Sequence, residues 1–429
     1  MKIGIIGGSG LEKSDILKNI EELDVNTPYG QPSSKIKKGF YKDTEIYILS
    51  RHGFEHEITP TKVNNRANIH ALKGLGCEYI LATTAVGSLR EEIAPKDFVI
   101  LNQFIDLTRH RRITFFEDFK GGQKHTSLAD PFSEKLRNFL IESCEDLNLK
   151  HHKKGTVITI EGPRFSTRAE SHMFRQWGAD VINMSTSPEA TLAKEAEIEY
   201  AAVAMSTDYD CWKIGEEDVT HEMVMRVMEE NSENVKKLII NTIEKIAENQ
   251  ASRKEIDFIK NSIRTIPNFP KQGIMFRDIT TLFKNPEALQ KTINIFYNRY
   301  KNKKIDIVTG IESRGFIIGG ILAEKLGCGF VPIRKKGKLP AETLSQSYDL
   351  EYGTDTIEIH RDAISPGKNI LLIDDLIATG GTAQASAQLI EQLGGRIQEI
   401  AFIIDLPDLK GKQKLTRWPV YTIISFEGE

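Results

Sequence analysis

The stretch Asn369-Ile-Leu-Leu-Ile-Asp374-Asp375-Leu-Ile-Ala378-Thr379-Gly380-Gly381-Thr382 decides the architecture of the second half of this chain. Its first residues, Asn369–Ile373, read as a buried strand. The strand delivers two adjacent carboxylates. A small, glycine-rich loop with two hydroxyls follows, and a helical pattern runs over Ala383–Leu393. Strand, loop and helix in that order are half of a βαβ unit. Successive backbone N–H groups in such a loop form an anion nest, reinforced by the helix N-terminus. Thr379 and Thr382 add hydroxyl donors. The loop has no lysine, so it is not the GxxxxGK[ST] nucleotide loop. A carboxylate pair is not there to bind phosphate. It suits sugar hydroxyls, a hydrated magnesium ion, or both. A ribose 5-phosphate satisfies both halves of the string.

Outward from this string the alternation recurs. Strands are expected at Ile305–Val308, Gly329–Ile333, Thr356–Ile359 and Glu399–Ile403, with a helical pattern at Phe316–Leu326. The first half shows apolar, β-branched runs at Lys2–Ile6, Glu45–Leu49, Tyr79–Thr83, Phe98–Leu101, Val157–Ile160, Val181–Asn183 and Ala201–Met205. Helical segments such as Asn64–Leu75 and Pro188–Glu199 lie between them. Both halves are therefore expected to be α/β. Met223–Ala247 is a long helical pattern that fades into the polar run Glu248-Asn-Gln-Ala-Ser-Arg-Lys254, and a new helix is expected near Glu255. The expected division is a domain over 1–248, a linker over 249–254 and a smaller domain over 255–429.

Composition agrees with two globular domains in 429 residues: 40% apolar and 27% charged. The balance of 57 Lys+Arg against 60 Asp+Glu removes the electrostatic reason for bulk nucleic-acid binding but leaves room for local anion pockets. No apolar run reaches the roughly 18 residues of a membrane helix. The opening Met-Lys-Ile-Gly-Ile-Ile-Gly7-Gly8-Ser9-Gly10-Leu reads as a strand and loop rather than a signal peptide. Cys77, Cys144, Cys211 and Cys328 are widely spaced, so no disulfide framework, no protein metal site and a reducing cytoplasm are expected.

In the first half, Gly7-Gly8-Ser9-Gly10 lacks the GxGxxG spacing of a dinucleotide fold, but a glycine turn with one hydroxyl can hold a phosphate. Arg51-His52-Gly53 follows another strand and supplies a cation beside a second donor. Thr84-Ala85, preceded by Thr83, ends a third strand, and Asn183-Met184-Ser185 ends a fourth. Together these groups compose an inorganic phosphate site. A later strand ends in Thr207-Asp208-Tyr209-Asp210. A carboxylate there can accept from an adenine amino group and, if protonated, donate to the ring N7. Protonated N7 makes adenine a better leaving group, and phosphate takes the ribosyl carbon. A raised pKa for Asp208 is part of this expectation.

Longer strings in each half carry a family resemblance. Residues 1–248 resemble the methylthioadenosine phosphorylases, within the trimeric purine nucleoside phosphorylase superfamily. The matching strings are Gly-Ile-Ile-Gly-Gly-Ser-Gly-Leu at the start, Ser50-Arg51-His52-Gly53, Thr83-Thr84-Ala85-Val86-Gly87-Ser88-Leu89-Arg90-Glu91-Glu92, Ile160-Glu161-Gly162-Pro163-Arg164-Phe165-Ser166, Ala179-Asp180-Val181-Ile182-Asn183-Met184-Ser185 and Thr207-Asp208-Tyr209-Asp210-Cys211-Trp212. The resemblance implies a central mixed sheet. It assigns phosphate to Ser9, Arg51, His52, Thr84, Ala85 and Ser185, and base and sugar to Phe165 and Met184. Asp208 and Asp210 bracket the purine edge as the catalytic pair, and Ser166 with Asp208 marks a reader of 6-aminopurines. His221 stands where the methylthio enzymes usually carry a small apolar residue. It raises the alternative of an adenosine phosphorylase, with His221 reading a 5′-hydroxyl, against a helix residue facing water.

Residues 254–429 resemble the type I phosphoribosyltransferases, and among them the adenine phosphoribosyltransferase family. Besides the Asp374–Thr382 string, the matching segments are Phe269-Pro-Lys-Gln-Gly-Ile-Met-Phe276-Arg277-Asp278-Ile-Thr, Glu312-Ser313-Arg314-Gly315-Phe316, Ile333-Arg334-Lys335-Lys336-Gly337-Lys338-Leu339-Pro340 and Leu350-Glu351-Tyr352-Gly353-Thr354-Asp355. The resemblance implies a parallel sheet with a flexible hood loop over Lys335–Tyr352. It places the 5-phosphate on Ala378, Thr379, Gly380, Gly381 and Thr382, and the ribose hydroxyls on Asp374 and Asp375. Ser313, Arg314 and Gly315 form the diphosphate loop, with Arg334, Lys335 and Lys338 as further cations. Phe276 and Arg277 border adenine, and Glu351 handles the proton on the base. Magnesium is expected with phosphoribosyl diphosphate, and no cofactor for the phosphorylase half.

The two halves then share adenine: one releases it, the other converts it to AMP, a bifunctional purine salvage enzyme. Fusion raises the local adenine concentration. By analogy with the two families, a homo-oligomer, trimer or hexamer, is expected, with small-molecule substrates and neither nucleic acid nor membrane as partner. A nucleobase sensor and a scaffold with one inactive half are the readings from other classes. The sequence shows no nucleic-acid module for the first, and both halves keep the chemical residues that the second would lack.

Overall fold

The computed structural model describes residues 1–7, 17–120, 124–215, 220–349 and 353–428, with the backbone only at 221 and 349. The chain forms two compact units, Met1–Gln250 and Ala251–Glu429.

The first unit is built on a mixed sheet of β1 (Lys2–Gly7), β2 (Lys18–Leu23), β3 (Ile36–Tyr41), β4 (Thr44–Ser50), β5 (Tyr79–Ser88), β6 (Phe98–Ile100), β7 (Gln103–Asp106), β8 (His151–His152), β9 (Thr156–Thr159), β10 (Val181–Asn183) and β11 (Glu199–Asp208). Its main path runs β2-β3-β4-β1-β5-β10-β9-β7, with β11, β6 and β8 branching from β5. Alternate residues of the central strands feed two cores. Ile3, Ile5, Ile46, Ile48 and Leu81 face one, and Ile6, Tyr47, Leu49, Ile80 and Ala82 face the other, as the period of two dictates. The helices α1 (Asn65–Gly74), α2 (Glu134–Asp146), α3 (Arg168–Gln176) and α4 (Thr186–Glu195) lie between these strands in sequence.

The strand β5 decides where a ligand can enter. On one side it pairs with β1 through Ala82 and with β10 from Gly87 onward. Thr83–Val86 therefore have no strand partner on that side among the described residues, and the sheet parts there. The sequence placed a strand end at Thr83. The chain instead stays extended to Ser88, because its other side remains paired with β11 throughout. The register on β11 shifts between Ser206 and Asp208, a bulge that re-aims the last carboxylate.

The helix α5 (His221–Asn261) runs without a break through 249–254, the expected linker, and through the helix start expected near Glu255. The polar residues of 251–254 are exposed all round, so no apolar stripe marks them as helical.

In the second unit, β12 (Arg264–Pro267) and β13 (Met275–Asp278) form a ribbon, and seven strands form a sheet. These are β14 (Ile307–Ile311), β15 (Gly329–Lys335), β16 (Thr343–Asp349), β17 (Thr354–His360), β18 (Asn369–Ile377), β19 (Arg396–Asp405) and β20 (Val420–Ser425), in the order β16-β17-β15-β14-β18-β19-β20. The run β15-β14-β18-β19-β20 is parallel, while β16 and β17 add an antiparallel hairpin at one edge. Much of the expected hood, Lys335–Tyr352, is thus strand, because β16 pairs with β17 from Thr343 to Asp349. The helices are α6 (Thr280–Lys284), α7 (Pro286–Tyr300), α8 (Glu312–Leu326) and α9 (Gly381–Gln392). Leu371 and Ile373 of β18 join the core under α7 and α8, and Ile370 and Leu372 join the core under α9. Among the described residues no helix is long and apolar enough to cross a membrane.

Candidate active sites

Where the first sheet parts, the chain leaves a cavity of about 380 Å³. Strand ends line it: Arg51 and His52 after β4, Thr83–Gly87 of β5, Asn183–Ser185 after β10, and Thr207, Asp208 and Asp210 at the end of β11. Phe165 and Ser166 come from the loop before α3, and Val224, Met225 and Met228 from the start of α5.

One end of the cavity is rich in hydroxyls. Arg51 is buried, and its guanidinium is held by both carboxylate oxygens of Glu189, itself fully buried, and by the Thr83 carbonyl at 2.9 Å. Tyr200 Oη donates to the same carboxylate at 2.9 Å. The cation expected at Arg51 has its charge compensated by Glu189, and the pairing leaves N–H groups on both terminal nitrogens for a ligand. His52 donates from Nδ1 to the Ile58 carbonyl at 2.8 Å, so Nε2 keeps the lone pair. Burial, then the Arg51 charge, pushes its pKa down to about 4. At neutral pH His52 is therefore an acceptor, not the second donor expected from the sequence. Thr84 Oγ1 lies 3.1 Å from Ser185 Oγ, and Asn183 Nδ2 donates to Thr84 Oγ1 at 3.1 Å.

The other end carries the carboxylates. Asp208 Oδ1 accepts the Asp210 N–H at 2.7 Å, and Oδ2 lies 2.7 Å from Thr207 Oγ1. Thr207 Oγ1 also lies 3.2 Å from the Val86 carbonyl. One hydroxyl proton cannot serve both acceptors. A protonated Asp208 resolves this: it donates to Thr207, which donates to Val86. Burial pushes the Asp208 carboxyl up to about 6. Ser166 Oγ donates to Asp210 at 2.8 Å, and Asp210 holds a left-handed backbone with φ +50° that turns it back over β5. Gly87 lies close beneath this pair: a Cβ there would come to 3.0 Å from Asp208 Oδ1 and press on it. A buried acid with a raised pKa thus sits beside a second carboxyl group held by Ser166.

In the second unit, Asp374 and Asp375 lie within β18, which continues to Ile377, and α9 begins at Gly381 rather than Ala383. Gly381 and Thr382 therefore occupy the first helical turn, with Gly380 at the N-cap in the left-handed region, φ +75°. Gly411, distant in sequence, is packed against this loop: a Cβ there would overlap the Ala378 carbonyl oxygen. Arg314 Nε pairs with Asp375 Oδ2 at 2.7 Å, and a Cβ on Gly315 would come within 3.1 Å of Asp374 Oδ1. The start of α8 is thus fitted against the two carboxylates. Burial, then the Asp375 charge, holds the Asp374 carboxyl well above the ordinary range, while Arg314 opposes the rise at Asp375. The two adjacent carboxyls, both raised by burial, offer oxygens to a vicinal diol. Across the edge of the sheet, Arg334 Nη1 donates to the Lys338 carbonyl at 3.2 Å, and Lys335 pairs with Asp355 at 2.9 Å.

Residues 2–244 match the family model of the Phosphorylase superfamily. The chain belongs to the phosphorylase superfamily. Residues 278–427 match the Phosphoribosyl transferase domain, so the phosphorylase unit is joined to a phosphoribosyltransferase domain. The S-methyl-5′-thioadenosine phosphorylase of Danio rerio is 51% identical over 251 residues, which cover 58% of this chain and 90% of that protein. That of Drosophila melanogaster is 46% identical over 278 residues, 64% of this chain and 95% of that protein. Among solved structures, methylthioadenosine phosphorylase from Schistosoma mansoni in complex with adenine superposes with a TM-score of 0.55 at 40% identity, covering 58% of this chain and 92% of that one.

Of the residues expected in the phosphorylase unit, the cavity brings together Arg51, His52, Thr84, Ala85, Phe165, Ser166, Met184, Ser185, Asp208 and Asp210. Ser9 and the His221 side chain lie outside the described residues. Two features are not signalled by the sequence: Glu189 behind Arg51, and the wall of Val224, Met225 and Met228. Glu189 and the wall lie on helices whose facing a sequence pattern does not fix. In the phosphoribosyltransferase domain, Arg314, Gly315, Asp374 and Asp375 converge. Ser313 is exposed beside them, and Lys338 is exposed with its carbonyl on Arg334. Phe276 and Arg277 sit on the β12–β13 ribbon, Phe276 edge-on to Phe269 at 5.1 Å and Arg277 over the Phe426 ring at 4.3 Å. Glu351 lies outside the described residues.

Proposed function

We propose that this chain carries out two consecutive reactions: phosphorolysis of S-methyl-5′-thioadenosine to adenine and 5-methylthioribose 1-phosphate, then phosphoribosyl transfer to adenine, giving AMP and diphosphate. The observation that carries the first reading is one cavity that holds Asp208, its carboxyl pushed up to about 6 by burial, together with a cluster of hydroxyls and Arg51. Thr84, Ser185, the Ala85 backbone and the spare Arg51 N–H groups hold phosphate, with Ser9 as a further ligand. The His52 lone pair suits the P–OH of a hydrogenphosphate ion. A phosphate oxygen attacks C1′ of the ribose, the C1′–N9 bond breaks with its electron pair passing to the purine, and Asp208 delivers its proton to N7. Asp210, positioned by Ser166, accepts from the purine edge, and Phe165 and Met184 pack against base and sugar. Val224, Met225 and Met228 give the cavity an apolar wall, which favours a methylthio group over a 5′-hydroxyl.

The second reading rests on the fitted group of Asp374, Asp375, Arg314 and the Ala378–Thr382 loop. The loop and the α9 N-terminus take the 5-phosphate, and the carboxylates take the ribose diol. Ser313, Arg314, Arg334, Lys335 and Lys338 surround the departing diphosphate. Phe276 and Arg277 border adenine, and Glu351 accepts the proton that the base loses. Magnesium would enter with the phosphoribosyl diphosphate substrate, beside Asp374 and Asp375, where it would neutralise the diphosphate. Chromatography of the products tests both halves. Methylthioadenosine consumption that requires phosphate, and AMP formation that requires phosphoribosyl diphosphate, are expected. Phosphate-independent cleavage would overturn the first assignment, and transfer to hypoxanthine in preference to adenine the second.

A further inference from the structure

We propose that Asn183 is a positioning residue that turns the hydroxyl protons of Thr84 and Ser185 toward phosphate, so that a buried amide, and not a free cation, makes this end of the cavity a donor site. The inference rests on the reading of that end as the phosphate site.

The electrostatics pose the problem. Arg51 is compensated by Glu189, and His52 is a neutral acceptor. Much of the anion's hydrogen bonding must then come from hydroxyls, and a hydroxyl donates or accepts according to what else it faces. A directed chain of hydrogen bonds decides this. The Ser187 backbone N–H, in the first turn of α4, donates to Thr159 Oγ1 at 3.2 Å. Thr159 must then send its own proton onward, to Asn183 Oδ1 at 2.9 Å. The Ser185 backbone N–H also points at Asn183 Oδ1, at 3.4 Å. A backbone N–H only donates, so the oxygen of the amide must lie on this side.

The amide nitrogen consequently faces the cavity. Nδ2 donates to Thr186 Oγ1 at 2.6 Å and to Thr84 Oγ1 at 3.1 Å, with Ser185 Oγ at 3.5 Å. An incoming N–H occupies a lone pair on the Thr84 hydroxyl and releases its proton. Among the described residues that proton has Ser185 Oγ at 3.1 Å and the Ala85 carbonyl at 3.2 Å as its acceptors. An anion in the cavity is a stronger acceptor than either. Asn183 is 6% exposed, so little bulk solvent competes for its amide.

The polarity is reversed by Asn183→Asp, which keeps the shape but offers only acceptors. Thr84 and Ser185 then donate to the new carboxylate and not to phosphate. The experiment is steady-state kinetics of phosphorolysis by the full chain, with phosphate and nucleoside varied separately. Asn183→Asp is expected to raise KM for phosphate by about tenfold or more and to leave KM for the nucleoside within about threefold. Asn183→Ala, which introduces no charge, is expected to raise the phosphate KM severalfold with the same selectivity. Thr84→Val should cost about tenfold alone and less than about twofold in the Asn183→Asp background, because the hydroxyl is already turned away. Charge repulsion by the new carboxylate would instead let the two penalties multiply, and that result overturns the inference. An unchanged phosphate KM in Asn183→Ala, or equal losses for both substrates, also overturns it. A wild-type chain that cleaves no nucleoside in a phosphate-dependent way would overturn the reading of the site itself.

Discussion

Asp208→Asn should abolish phosphorolysis and stabilise the first unit, by an amount that grows with pH. The Asp208 carboxyl is raised from 3.8 to about 6 by burial. Below pH 3.8 both folded and unfolded chains hold the proton, and the group contributes nothing. As pH rises through that value the unfolded chain releases the proton first, so ionisation favours unfolding until the folded group also titrates. A shift of about two pH units corresponds to about 3 kcal/mol lost above pH 6, of which about half has set in by pH 5. Asparagine removes this loss and keeps the geometry. Its oxygen accepts the Asp210 N–H, and its nitrogen donates to Thr207, as the neutral acid does. The assay is urea unfolding of the full chain at pH 5 and pH 8, read by tryptophan fluorescence. Trp177 and Trp212 lie in the first unit and Trp418 in the second, so a Trp418→Phe background reports the first unit alone. The variant should gain about 1–2 kcal/mol more over its parent at pH 8 than at pH 5. The parent's kcat/KM should fall as pH rises through a group near 6. An equal stability difference at both pH values, or a parent profile that needs no protonated group, would refute the assignment of Asp208 as the acid.

Further consequences follow from buried partners. Glu189→Ala leaves the Arg51 guanidinium buried without its counter-ion and should destabilise the first unit by about 3–5 kcal/mol in urea melts, part of which added phosphate restores. Gly411→Ala should push the Ala378–Gly380 loop and raise KM for phosphoribosyl diphosphate by roughly tenfold while KM for adenine stays put. Gly320→Ala, whose Cβ meets nothing within 4 Å, serves as its silent control. Asp375→Asn removes the charge that pairs with Arg314 and replaces one acceptor oxygen with a donor, and isothermal titration should show phosphoribosyl diphosphate binding weakened by about tenfold or more.

The central strands were legible in the sequence because both of their faces are buried. Ile3 to Ile6 and Ile370 to Ile373 are apolar without a break, and only a strand inside a covered sheet asks for that. β2 was not legible: Lys18–Leu23 is almost wholly exposed and carries no alternation. The same holds for the middle of α5, where exposure on every side erases the helical stripe and a helix reads as a linker. Site residues are expected from the sequence at strand ends: Arg51 directly follows β4, Asp208 closes β11, and Asp374 lies within β18. Their supports are not legible in this way. Glu189 meets Arg51 from a distant helix, and Gly411 reaches the Ala378 loop from a late turn. Such pairings are made by tertiary packing, and no local pattern announces them. The protonation of His52 failed for a related reason: its charge depends on burial and on the neighbouring Arg51, neither of which is a property of the residue itself.

The most direct test incubates the purified full chain with methylthioadenosine labelled in the adenine ring, phosphate, phosphoribosyl diphosphate and magnesium, omits each in turn, and follows the label by mass spectrometry. Labelled AMP in the complete mixture, labelled adenine when phosphoribosyl diphosphate is withheld, and no cleavage without phosphate are the predicted results. Label that remains in the nucleoside in every mixture, or that stops at adenine when all components are present, would contradict the two-step account.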